Sequence, residues 1–148
     1  MSLNLEINNL VKSPVKKTLV RKTIVKTLEK SGNLELAKKS LTLSLAWVSE
    51  AEIRRLNKTY RKKDKATDVL SFCEYEDAVQ LKNATEKELF LGELILCYNY
   101  IHKYAREKKE RGETELARVV SHGVLHLLGF RHGEKMFTIQ NEVAEKIK

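Results

Sequence analysis

Three of the four histidines in this 148-residue chain fall in one short run, His122-Gly-Val-Leu-His126-Leu-Leu-Gly129-Phe-Arg-His132, and that run leaves its segment few ways to fold. Leu116, Val120, Gly123 and Leu127 recur at helical spacing. They form a stripe that must face a core, which predicts a helix from about Glu113 to Leu128. Residues four apart on a helix lie one above the other, so His122 and His126 share a face at the rim of that stripe. Gly129 then ends the helix, because glycine reaches the left-handed conformation that reverses a chain at a helix C-terminus. The reversal carries His132 back toward the other two histidines.

Three imidazoles converging on one point suit a zinc-type ion and leave a fourth tetrahedral position for water. Structural zinc sites are ordinarily closed by four protein ligands, whereas catalytic ones keep a position open, where the metal lowers the pKa of water toward about 7. The expected chemistry is hydrolysis, with one zinc ion per chain on His122, His126 and His132. His102 has no such neighbours and reads as a surface or helix-contact residue. The spacing of the three histidines and the glycine coincide with the metzincin pattern His-Glu-x-x-His-x-x-Gly-x-x-His. The glutamate that serves there as general base is Gly123 here, which argues against a metallopeptidase.

The rest of the chain reads as an α+β arrangement in a single metal-dependent hydrolase domain over residues 1–148. About four strands in a mixed sheet pack against about five helices, with the metal site on the penultimate helix and the loop after it. Alternation predicts strands at Leu3–Ile7 and, most clearly, at Leu41–Trp47. Val69–Tyr75 and the apolar Leu89–Cys97 read as two more. Ser13 before Pro14 predicts the start of a helix that runs to about Glu29. Ser49 with Glu52 predicts a capping box for a second helix ending near Tyr60. A basic loop, Arg61 to Lys65, follows. The polar stretch from Glu76 to Glu88 reads as a mobile surface loop. Further helices are expected near Asn99–Lys109 and Glu134–Ile147. No apolar run reaches membrane-spanning length and the N-terminus lacks a signal-peptide layout, so the expectation is a cytoplasmic protein with no membrane partner. Cys73 and Cys97 sit in separate apolar segments, which gives no disulfide framework.

The 28 Lys and Arg against 20 Asp and Glu leave a net charge of +8, and the excess is segregated. Lys12 to Lys30 holds seven basic residues and one acidic, as does Arg54 to Lys65, whereas Glu74 to Glu93 is mostly acidic. Segregation of this kind presents a basic face to a phosphate backbone, so a nucleic acid is the partner that the charge points to. The helix from Pro14 to Lys30, with Lys22, Lys26 and Lys30 on one side, is the candidate surface for such a polyanion.

At the histidine run the chain resembles the YbeY family, whose hallmark is His-Gly-x-Leu-His-Leu-x-Gly-Tyr/Phe-Asp-His. The stretch from Leu56 to Phe72, with Leu56-Asn57, Tyr60-Arg61, Asp64 and Thr67-Asp68-Val69-Leu70-Ser71-Phe72, is similar to a second family block, and Leu91-Gly92-Glu93-Leu94-Ile95 to a third. With Met136, the resemblance runs from Leu41 onward. It implies a metal-dependent, single-strand-specific endoribonuclease acting in rRNA maturation and ribosome quality control, with zinc on the three histidines and with ribosome or ribosomal-protein contacts. It also implies a functional arginine at Arg61, and a guanidinium can pair bidentately with a phosphate and stabilise developing charge. Lys62 and Lys63 are further candidates for substrate contact. Thr67, Asp68 and Ser71 either contact substrate or cap and pack the loop. Arg131 and Glu93 stand where the family has aspartates. The competing readings are a non-catalytic RNA- or ribosome-binding factor with a structural metal and, less favoured, a metallopeptidase.

Overall fold

Strand β2, Ser40–Trp47, is the segment whose alternation is clearest, and it lies inside the sheet rather than at a margin. Leu41, Leu43, Leu45 and Trp47 are each at most 1% exposed. Each side chain so placed contributes roughly 1.5–3 kcal/mol by leaving water. The structure is a computed structural model describing residues 2–147. Its sheet runs in the order β1 (Ser2–Asn9), β2, β4 (Glu88–Leu96) and β3 (Val69–Cys73). β1 and β4 flank β2 in parallel and β3 is antiparallel to β4, so the sheet is mixed and β1 and β3 are its margins. Parallel neighbours need a crossover, and helix α1 (Lys17–Lys30) supplies it between β1 and β2.

Five more α-helices follow among the described residues: α2 (Glu50–Arg61), α3 (Ala78–Lys82), α4 (Tyr98–Glu107), α5 (Gly112–Leu127) and α6 (Glu134–Lys146). The leucine face of the sheet packs against Val20 and Ile24 of α1, Ile101 of α4 and Val120 and Val124 of α5. The opposite face carries a smaller cluster in which Ile53 of α2 meets Ala46, Leu70 and Ile95. Met136, Ile139 and Val143 of α6 close over Leu125 on the far side of α5.

Enclosed in this way, α5 is buried over more of its surface than the stripe of Leu116, Val120, Gly123 and Leu127 suggests: Ala117, Val119, Ser121, Val124 and Leu125 are buried as well. Beyond its first turn, what stays partly open is one line at four-residue spacing, Arg118, His122 and His126. The helix lies close to the sheet at Gly123, where an added Cβ would be 2.9 Å from Leu94 Cδ2. Against α1 it is held by hydroxyls, with Thr27 Oγ1 2.8 Å from both Thr23 O and Ser121 Oγ.

Three local expectations need correction. Ser13 does not cap α1; its N–H donates to Asn9 Oδ1 at 2.8 Å in a turn of its own, and the helix begins three residues after Pro14, with Lys16 as N-cap. Strand β3 stops at Cys73, not Tyr75. The stretch from 76 to 88 contains helix α3, where Asp77 accepts from Gln80 N at 2.8 Å and Leu81 is 2% exposed in the core. One buried leucine and one cap suffice to anchor a segment whose composition is otherwise that of a surface loop. Ser49 does cap α2, accepting from Glu52 N at 3.1 Å, while the Glu52 carboxylate pairs with Arg55 and not with the Ser49 N–H. No helix among the described residues is long and apolar enough to cross a membrane.

Candidate metal centre and cleft

Gly129 has φ +89° and its N–H donates to His126 O, while the Phe130 N–H donates to Leu125 O, closing the end of α5 by the left-handed turn expected of a glycine. Ala78 of α3 is pressed against this turn: a Cβ at position 129 would lie 2.4 Å from Ala78 N. The turn returns His132 to the helix face. Nε2 of His126 is 3.1 Å from Nε2 of both His122 and His132, and the latter two are 3.4 Å apart.

Three imidazole nitrogens bonded to one tetrahedral ion at about 2.0–2.1 Å stand at about this mutual separation. The donor chemistry agrees. Gln140 of α6 places Oε1 2.8 Å from His122 Nδ1, and an amide oxygen can only accept, so Nδ1 carries the proton and Nε2 offers a lone pair. Burial, with His122 and His132 alongside, pushes the pKa of His126 down to about 4, so this imidazole is uncharged at neutral pH, the ligating form. The three histidines are thus positioned to hold a metal ion, and among the described residues no cysteine or carboxylate joins them.

The cluster opens onto a cleft of about 520 Å³ whose opposite wall is the segment after α2. Arg61, the last residue of α2, lays its guanidinium over the Phe72 ring at 5.1 Å and donates from a terminal nitrogen to Ser71 O at 2.7 Å. Lys63, Lys65, Thr67, Asp68, Ser71 and Cys73 also line the cleft; Lys62 does not. Lys62 instead adopts the left-handed conformation, φ 62°, as C-cap of α2. The chain bends there around Asn57, which is 2% exposed, donates from Nδ2 to Lys65 O at 2.9 Å and accepts from the Lys62 and Lys63 N–H groups. Asp68 Oδ1 accepts from Val69 N at 2.7 Å and from the Thr67 hydroxyl at 3.3 Å. The Ser71 hydroxyl faces Gly123 O at 3.4 Å, tying β3 to α5.

The folded chain therefore brings Arg61, Lys63, Thr67 and Ser71 to the three histidines across about fifty residues of sequence and leaves Lys62 outside the walls. His102 lies away from the cleft, stacked on Tyr98 with ring centroids 5.5 Å apart. Asn57 and Gln140 are the supporting residues that the sequence reading passes over. Asn57 stands in a polar run and offers no spacing signal. Gln140 is a polar residue on the inner face of an amphipathic helix, flanked by buried Ile139 and Val143, and that position is a signal.

The family described as "Endoribonuclease YbeY" matches residues 6–148. A relative from Picosynechococcus, named Endoribonuclease YbeY, is 40% identical over 98 residues, covering 66% of this chain and 60% of its own length, so the match spans less than two thirds of that protein. An Aquifex aeolicus relative of the same name is 35% identical over 99% of this chain and 97% of its own. The solution structure of a Thermotoga maritima protein superposes with a TM-score of 0.63 at 28% identity, covering 98% of this chain and 88% of that one.

Proposed function

Since the chain belongs to the YbeY endoribonuclease family, we propose that it is a zinc-dependent endoribonuclease that cuts single-stranded RNA in the cytoplasm, in rRNA maturation and ribosome quality control. The observation that carries this reading is the cleft itself: three imidazole nitrogens on one wall face Arg61, Lys63 and Lys65 on the other. A phosphodiester is the substrate whose charge fits between a cation site and a row of basic side chains. His122, His126 and His132 hold the ion, which when bound supplies Lewis acidity toward a phosphoryl oxygen and toward water.

The chain's own groups do the rest. Arg61 spends one donor on Ser71 O and one ring face on Phe72, which fixes the guanidinium and leaves its other N–H groups for a phosphate. Lys63 and Lys65 hold the neighbouring phosphates, and Lys62 meets the strand beyond the cleft. Among the described residues Asp68 is the one carboxylate lining the cleft. Its Oδ1 is held by Val69 N and Thr67, and the second oxygen, which accepts no bond from the described residues, takes a proton from water as that water's oxygen bonds to phosphorus; the P–O bond to the leaving ribose oxygen breaks, and that oxygen takes its proton from solvent. Thr67 and Ser71 orient Asp68 and Arg61 more directly than they meet substrate. A peptidase is disfavoured because the position of its glutamate base, Gly123, is pressed against Leu94. Ribosome contact falls to exposed lysines such as Lys17 and Lys22 of α1; Lys30 is already paired with Glu142 at 3.0 Å.

The test is cleavage of a single-stranded RNA by stringently purified protein with bound zinc quantified in each sample. Arg61→Ala and Asp68→Asn are each expected to lower the rate about a hundredfold with zinc content unchanged. Cleavage that survives both substitutions and chelation would be the work of a contaminant, leaving a non-catalytic RNA- or ribosome-binding factor as the reading.

A further inference from the structure

Whether His122 can serve as a ligand is decided on the side of its ring that faces away from the cleft. A neutral imidazole has one proton; if it sits on Nε2, the nitrogen aimed at His126 and His132 has no lone pair to give. Gln140 Oε1, 2.8 Å from Nδ1, removes that possibility. His126 meets the same need inside its own turn, through a backbone hydrogen bond to Phe130. His122 relies on a different helix.

We propose that Gln140 is a positioning residue of the metal centre, fixing the tautomer and ring plane of His122, so that α6 is part of the site although it contributes no ligand. This rests on the reading of the three histidines as a metal site. Gln140 is 9% exposed and lies on a helix held at several points. Met136, Ile139 and Val143 pack around Leu125, Asn141 accepts from Arg118 Nε at 3.0 Å, and Glu142 pairs with Lys30. The amide therefore comes to His122 from a fixed direction. A ring nitrogen bonded in this way makes the other nitrogen the better donor, and loss of such a partner ordinarily weakens metal binding about 10–100-fold. An amide acceptor polarises the ring less than a carboxylate does, so the native residue holds the tautomer without bringing a negative charge to the ring.

Two measurements test this. Nitrogen-15 NMR of the metal-free wild type should show His122 protonated on Nδ1; a proton on Nε2 overturns the proposal whether or not zinc binds. Competition with a chromophoric chelator should then show Gln140→Met binding zinc at least about tenfold more weakly than wild type, and Gln140→Glu, which restores an acceptor, at least as tightly as wild type. Zinc affinity of Gln140→Met within twofold of wild type overturns the proposal, as does equal weakening in the methionine and glutamate variants, which would mean that only packing is disturbed. Should the methionine variant fail to fold, the wild-type tautomer and the glutamate variant still decide the matter. A wild type that shows the Nδ1 tautomer and binds no zinc removes the metal reading and leaves the contact as a structural hydrogen bond only, which also overturns the proposal.

Discussion

Arg118 and His126 stand about two turns apart on one line of α5, and their surroundings are opposite in kind. Arg118 is answered on every side: Glu110 at 2.8 Å, Glu115 in a shorter contact, and Asn141 at 3.0 Å. Glu115 is 4% exposed, and burial raises its pKa despite Arg118, while Glu110, nearer the surface, is held below its ordinary value by the same guanidinium. At the other end three imidazole nitrogens face one another, and among the described residues no carboxylate or cysteine joins them. The first cluster closes on itself and serves the fold. The second is complete only when something from outside enters, which is what marks a binding site.

The largest effect is expected from the open end. His126→Ala should abolish zinc retention in gel filtration and lower RNA cleavage at least about a thousandfold, about 4 kcal/mol of barrier, while the metal-free variant unfolds in urea no earlier than wild type. The closed end should answer in the reverse way. Arg118→Met leaves buried Glu115 with only the more distant Lys108, 3.9 Å away, and should cost about 3 kcal/mol in urea unfolding, with zinc affinity within about threefold of wild type. If Arg118→Met loses zinc as His126→Ala does, the two ends are not independent.

The smallest and most discriminating effect is in pH. His126 has its pKa lowered in the fold from the ordinary 6.5 to about 4, so below 6.5 the unfolded chain binds more protons. Metal-free protein should therefore lose stability as pH falls from about 6.5 through 4. Glu115 is shifted the other way: its raised pKa means that the fold gains relative stability as the carboxyl takes up a proton, and loses it as pH rises above the ordinary glutamate range. Thermal unfolding of metal-free wild type and His126→Ala across this window should differ in slope, with the variant losing less stability than wild type as the pH falls. Equal slopes would show that His126 is not held neutral by the fold.

The open end was the more legible of the two in the sequence. Its three histidines lie within eleven residues, and helical spacing with one glycine dictates their convergence. β2 was legible for a similar reason, since period-two alternation is a local property. The closed cluster joins Glu110, Glu115 and Arg118 to Asn141 of another helix, and in sequence such residues look like ordinary surface charge. Gln140 was missed because its partner is eighteen residues away, across a turn. The start of α1 was misread because Asn9 competes for Ser13, a contact between residues on either side of an irregular turn. Helix α3 was hidden because its anchors are one leucine and the close approach of Ala78 to Gly129.

The sheet ends at β3, and odd-numbered residues of that strand turn their backbone groups away from β4, as the bond from Cys97 N to Asp68 O requires of the alternation. Ser71 O is one of these outward carbonyls, and Arg61 covers it. The same guanidinium that meets the cleft thus stands guard on a strand margin where a second molecule could add a strand of its own. Removing it is expected to leave that margin open to other molecules in solution, and low activity in such a variant is attributable to chemistry only in samples that remain monodisperse at the concentration assayed.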